Sequence, residues 1–265
     1  MALEILHDRR IRSIRWLDLV PVTRWEASKE LILPIPALVL SLFLAYQELY
    51  VPAFLASFVF FLTGLRLAHG AFHYTLGLGR PASDLVMAGL SVLMLGSMHC
   101  IQFHHLRHHK HCMDEEDLEG KSARGNAWQA LLMGPWFPVR LHLAGLARAR
   151  GRVRRWIVAE LLGNALWLGL VLAVLDVPVL RLHVLSMAGG QCLTAFFAVW
   201  TVHHDCERSH FIARTLRRPF LNLISFNMFF HVEHHLFPKV PTCHLPRLAT
   251  RIDQAAPELQ SMEVI

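Results

Sequence analysis

The sequence predicts an all-α, polytopic membrane protein: four transmembrane helices with a cytoplasmic helical cap that carries a metal site. Three observations predict it. First, 54% of the 265 residues are hydrophobic and only 17% are charged, below the roughly 25% charged that is typical of soluble domains. Second, the apolar residues are gathered into runs long enough to cross a bilayer. Third, there are 18 histidines, and they collect at the ends of those runs. Few structural roles consume so many imidazoles, whereas zinc, copper, iron and nickel all accept them as ligands.

Residues 1–30 are basic with scattered aromatics. Within them "TRWE", Thr23 to Glu26, matches a capping box, so a helix starts near Arg24, and Trp25 suits a membrane surface. From Leu31 to about Gly70 the chain is almost continuously apolar, broken only at "QELY", Gln47 to Tyr50. A bilayer core of roughly 30 Å takes about 20 helical residues, so this stretch holds two spans, 31–48 and 51–72. The run from Leu85 to Met98 is too short to span and reads as a buried or re-entrant helix. Residues 99–126 are polar and rich in histidine. The segment from Trp128 to Arg155 reads as interfacial and ends in a basic cluster. The third and fourth spans are 156–175 and 179–202, the latter with Gly189 and Gly190 inside it. Beyond His203 the chain is polar, with a short apolar helix around Phe220 to Phe230. Residues 1–265 form one domain without internal repeats.

The formal net charge is +6. In a membrane protein this reads as positive-inside bias, not as nucleic-acid binding. The basic residues sit in the N-terminal arm, in Arg148 to Arg155 and in "RTLRRP", Arg214 to Pro219. The two outer turns, "QELYVP" and "DVPVLRLH", share a single arginine. Both termini, the central loop and the histidine groups are therefore expected in the cytoplasm. Four spans satisfy that arrangement and five do not. The five cysteines are scattered without a C-x-x-C pair, which argues against a disulfide framework or a thiolate zinc site. The N-terminus lacks the continuous apolar stretch of a cleaved signal peptide.

Four histidine groups stand out: "HGAFH" with His69 and His73; "HHLRHHKH" from His104 to His111; "HHDCE" with His203 and His204; and "HVEHH" with His231, His234 and His235. Residues at i and i+4, or at i, i+3 and i+4, share a helix face. His69 and His73 are thus expected to aim two imidazoles at one point. His105, His108 and His109 aim three, as do His231, His234 and His235. An isolated HxxxH pair at a membrane boundary is weak evidence of ligation. Two HxxHH groups, an HxxxH and a further pair on one membrane side are strong evidence.

The order H-x-x-x-H, H-x-x-H-H, H-x-x-H-H, the last running on as "HVEHHLFPKVP", resembles the histidine boxes of the membrane fatty acid desaturase superfamily, which also holds hydroxylases and carotenoid ketolases. The resemblance covers roughly residues 31–248. It implies two non-haem irons, O₂ as co-substrate, a lipid or acyl substrate and a separate electron donor of ferredoxin or cytochrome b5 type. It implies His69 and His73, then His105, His108 and His109, then His231, His234 and His235 as ligands. A ninth ligand falls on His204, with His203 in the place of a glutamine. His104 offers an alternative H-x-x-x-H-H reading, and His99 and His111 lie near enough to compete.

Asp205, Glu207, Glu233 and the run "DEEDLEG", Asp114 to Gly120, are candidates to accept the other ring N–H of a ligating histidine. The acidic run is read first as a solvated loop. Asn227, one turn before His231, is either an orienting group or a core amide. Phe58, Phe60 and Phe61, and Phe196, Phe197 and Trp200, are read as packing or lipid-facing residues. The basic cluster Arg148 to Arg155 is read as an interface anchor that would also suit an acidic donor. The expected reaction is O₂-dependent desaturation of an acyl chain. Hydroxylation or ketolation by the same centre is the alternative. A metal transporter is a third reading, disfavoured because the middles of the spans lack Asp, Glu and His.

Overall fold

The computed structural model describes residues 5–207, 211–261 and 263–264. Among the described residues the secondary structure is helical, with only isolated β-bridges beside it. Four helices are long and apolar enough to cross a membrane: Arg24–Tyr46, Tyr50–Phe72, Gly151–Val174 and Pro178–His203.

The first of these is α1 (Arg24–Ile32) continued past Pro34 by α2 (Ile35–Tyr46). It begins as the "TRWE" motif dictates. Thr23 Oγ1 accepts from the Glu26 amide, and the Glu26 carboxylate accepts from the Thr23 amide at 2.8 Å, so two otherwise open donors are satisfied. At the "QELY" break Glu48 takes φ 59°, and the chain reverses into α3 (Tyr50–Phe72). This helix is central, and its second half is buried on nearly every side. Phe60 and Phe61 are core residues there. The Phe61 ring lies against Gly190 of α8 (Pro178–Thr194), where an added Cβ would sit 2.6 Å from it. A small residue is therefore required for α3 and α8 to approach.

α4 (Arg80–Leu93) and α5 (Met98–His111) form a bent pair at 114°. The run read as a buried or re-entrant helix lies in this pair, with Met87, Leu90, Met94 and Met98 in the core. The break is encoded locally: Leu95 adopts φ 57°, and Ser97 caps α5 by accepting from the Cys100 amide at 3.1 Å. The bend turns α5 aside so that its histidine face meets those of α3 and α8. The segment read as interfacial is helical from Ala127 to Met133 and again in α6 (Trp136–Arg148), with Trp128 and Trp136 exposed. α7 (Gly151–Gly169) ends in a π-helical turn, Leu170–Val174. α8 likewise passes through a π-helical segment, Ala195–Trp200, before Thr201–His203.

The C-terminal region supplies α9 (Pro219–Ile224), α10 (His231–Leu236) and α11 (Leu245–Ala255). Ile212, Val232, Phe237, Leu248 and Ile252 build the core shared by α10 and α11, to which Ile5 and Ile11 of the N-terminal arm contribute. Glu233 of α10 is fully buried and points away from the histidines. Its carboxylate accepts from Thr215 Oγ1 at 2.8 Å and Arg217 Nη2 at 2.6 Å, and Arg217 also pairs with Asp253 of α11. The reading of Glu233 as a partner of a ligating histidine is thereby replaced by a structural ion pair. Removing one partner of a buried pair leaves an uncompensated charge. Arg217→Met is expected to destabilise the protein by about 3 kcal/mol, read as a lowered midpoint of thermal unfolding in detergent.

Candidate metal centre

The bend between α4 and α5, the C-terminal ends of α3 and α8, and the short helix α10 converge at one end of the helical bundle. Two groups of four imidazoles result, each with its ligand atoms within 4.8 Å of one another: His69, His73, His105 and His234; and His108, His203, His231 and His235. In the first, His105 Nε2 lies 3.0 Å from His73 Nε2. In the second, His203 Nε2 lies 3.0 Å from both His108 Nε2 and His231 Nε2. His109 belongs beside the first group, its Nε2 2.9 Å from that of His234 and 3.2 Å from that of His105. Its ring stacks on His235 at 4.3 Å between centroids, so the two groups are adjacent.

The helices share their histidines between the groups. The sequence pattern suggests that His105, His108 and His109 aim at one point, but α5 sends His105 and His109 to one group and His108 to the other. Helical geometry explains this. At about 100° per residue, positions four apart differ by roughly 40°, while His108 falls about 60° to the other side of His105. α10 divides in the same way, with His231 and His235 on one side and His234 on the other. An HxxHH motif thus serves two neighbouring points.

His204 is not in either group. Its Nδ1 donates to the Trp200 carbonyl at 3.0 Å, and its ring stacks on Trp200. His203 stands in the second group in its place. His104 donates to the Leu141 carbonyl, His111 faces Asp114, and His99 is held by Glu160 at 2.6 Å and stacked on Trp156. These three lie outside both groups.

Carboxylates and carbonyls behind the rings fix their tautomers. His108 Nδ1 donates to Asp117 at 2.8 Å, His105 Nδ1 to Glu119 at 3.1 Å, and His203 Nδ1 to the Ile212 carbonyl at 2.9 Å. The run "DEEDLEG" is therefore not simply a solvated loop. Asp117 is 1% exposed, folded back by accepting from the Met113 and Gly120 amides. Asp205 is instead exposed beside Arg214, and Glu207 is exposed. The D-x-E spacing of Asp117 and Glu119, just beyond the second box, was the available signal for these partners.

Burial holds His109, His231, His234 and His235 well below the ordinary imidazole pKa, and neighbouring imidazoles add to that effect. Burial is the largest influence on His108 and opposes its charge, but the Asp117 and Glu119 carboxylates together outweigh it and raise that pKa. His109, His231, His234 and His235 are thus held as neutral imidazoles, the form that ligates metal.

The residues fit metal ions. With its proton on Nδ1, His203 presents a lone pair on Nε2, and two other Nε2 atoms crowd it at 3.0 Å. Facing lone pairs repel unless a cation lies among them. His69 Nε2 is buried without a hydrogen-bond partner among the described residues. Imidazole–metal bonds of about 2.1 Å separate adjacent ligands of one ion by roughly the spacing seen. The donors are all nitrogen, which suits iron, copper or zinc.

The fold and this double nest define a class: an integral-membrane metalloprotein with two adjoining imidazole centres. The family model described as "Fatty acid desaturase" matches residues 48–263, and the chain belongs to that family. No match is found among curated proteins.

Proposed function

We propose that the protein is an O₂-dependent di-iron oxidase of the membrane that desaturates a fatty acyl chain. The observation carrying this reading is the pair of adjoining imidazole nests, within a chain of the desaturase family. His69, His73, His105, His109 and His234 would hold one iron, and His108, His203, His231 and His235 the other. Two irons, with two electrons from a separate donor of ferredoxin or cytochrome b5 type, supply the activation of O₂ needed to break an unactivated C–H bond. The chain itself does the rest. Asp117 and Glu119 keep His108 and His105 oriented with Nε2 free of a proton. The buried walls keep bulk water from the centre. The positive-inside bias of the basic residues supports a cytoplasmic side for the histidine end and both termini.

Hydroxylation or ketolation of a lipid or isoprenoid would use the same nests, and the products separate the readings. Reductant-driven O₂ uptake by the iron-loaded protein with an added donor system is the test, followed by mass spectrometry of lipids. Desaturation gives a loss of two hydrogens; a gain of oxygen selects the alternative. Stripping the metal with a chelator should abolish uptake, and readdition of ferrous iron should restore it. Absence of uptake by iron-loaded protein would contradict the oxidase reading.

A further inference from the structure

A cavity of ≈ 380 Å³ opens between α1, α3 and the segment after α9, with Lys29, Glu30, Arg66, Asn222, Leu223 and Asn227 in its wall. Its size falls within the roughly 300–1,000 Å³ range of ligand pockets. It adjoins the metal centre along two chain segments: Arg66 precedes His69 by one helical turn, and Asn227 precedes His231 by four residues. Leu223 of its wall belongs to α9, where Phe220, Leu223 and Ile224 are all exposed and apolar, and Trp25 of α1, next in sequence to the wall residue Glu26, is also exposed. Such a rim suits lipid on one side and polar groups on the other.

The polar groups are unequal. The Arg66 guanidinium is already engaged with the Glu30 carboxylate and the Phe226 carbonyl. The Lys29 ammonium sits over the Trp25 ring at 5.0 Å. Asn222 is 4% exposed, and its Nδ2 donates to the Leu216 carbonyl, but its buried Oδ1 has no partner among the described residues. An unsatisfied buried acceptor costs about 1–3 kcal/mol, so it is expected to find a donor.

We propose that this cavity is the head-group subsite of the acyl substrate, and that it takes an uncharged head bearing a hydroxyl or amide hydrogen. The wall sets two carboxylates, Glu26 and Glu30, against two cations, Lys29 and Arg66, so it offers no net positive charge to a phosphate, and Asn222 Oδ1 calls for a donor. The acyl chain would then run inward toward His69 and His231. The inference rests on the desaturase reading above and names the substrate class for it.

Purified protein in detergent tests this through binding, without turnover. The probes share an oleoyl chain: monooleoylglycerol and oleoyl ethanolamide as uncharged donors, methyl oleate without a donor, and lysophosphatidic acid and oleoyl-CoA as charged heads. The uncharged donors are expected to bind about tenfold more tightly than the other three, the worth of one satisfied hydrogen bond. Asn222→Val should erase that preference while leaving methyl oleate binding unchanged. Should Asn222→Val not fold, Asn227→Gly serves. Asn227 has φ 61°, which glycine adopts freely, so the amide is removed without strain, and a three- to tenfold loss of preference is expected. Equal or tighter binding of the charged heads, or folded variants with an unaltered preference, would overturn the proposal. Iron-dependent O₂ uptake is measured separately, so the subsite can fail while the oxidase reading stands, and the reverse.

Discussion

Replacing His203 by alanine is expected to abolish turnover, whereas replacing its neighbour His204 leaves turnover nearly intact. His203 Nε2 sits 3.0 Å from two other Nε2 atoms, and its Nδ1 is anchored on the Ile212 carbonyl. Its loss removes one of the four nitrogens of a nest. The fall in activity should exceed the 10–100-fold caused by loss of a hydrogen-bonding partner behind a ligand, and one of the two metal ions should be lost or weakly held. His204 contributes a hydrogen bond to the Trp200 carbonyl and a stack on that ring. Its removal should cost stability of about 1 kcal/mol and little activity. Metal content and O₂ uptake of the two variants, measured side by side, check this. Equal losses in both, or a larger loss in His204→Ala, would reject the assignment.

Asp117→Asn should lower metal affinity or activity about 10- to 100-fold while the helices persist. The native carboxylate orients His108 through Nδ1 and also accepts from the Met113 and Gly120 amides. An amide in its place weakens the charge-assisted bond and turns an N–H toward one of those donors. The variant distinguishes a carboxylate that backs a ligand from one that only folds a loop. With a purely structural role, the thermal midpoint would fall while iron affinity stayed unchanged. Iron titration of stripped protein alongside a melting curve provides both readouts.

Much of this architecture is legible in the residues. Apolar runs broken at "QELY" give antiparallel helices because the break permits a left-handed residue, Glu48, at the turn. "TRWE" forms the capping box it spells. The histidine groups at helix ends announce metal chemistry, and eight of the nine positions read as ligands stand in or beside the two nests.

Three features were hidden for physical reasons. The choice of His203 over His204 depends on helical phase. α8 passes through a π-helical segment, Ala195–Trp200, which accommodates an extra residue and rotates the later positions relative to a regular helix. The division of each HxxHH between two points depends on where neighbouring helices lie, which spacing within one helix does not contain. The burial of Asp117 and Glu119 depends on the chain folding back over α5, whereas a run of acids by itself reads as solvated. Glu233 shows the converse: a carboxylate inside a histidine box is directed elsewhere by Arg217 and Thr215.

The most direct test of the central claim is the metal stoichiometry of wild-type protein, expressed in iron-replete cells, purified without chelators and measured by inductively coupled plasma mass spectrometry. Two adjoining imidazole nests predict two iron atoms per chain. A ratio of one, or of none after iron loading, would contradict the two-centre account.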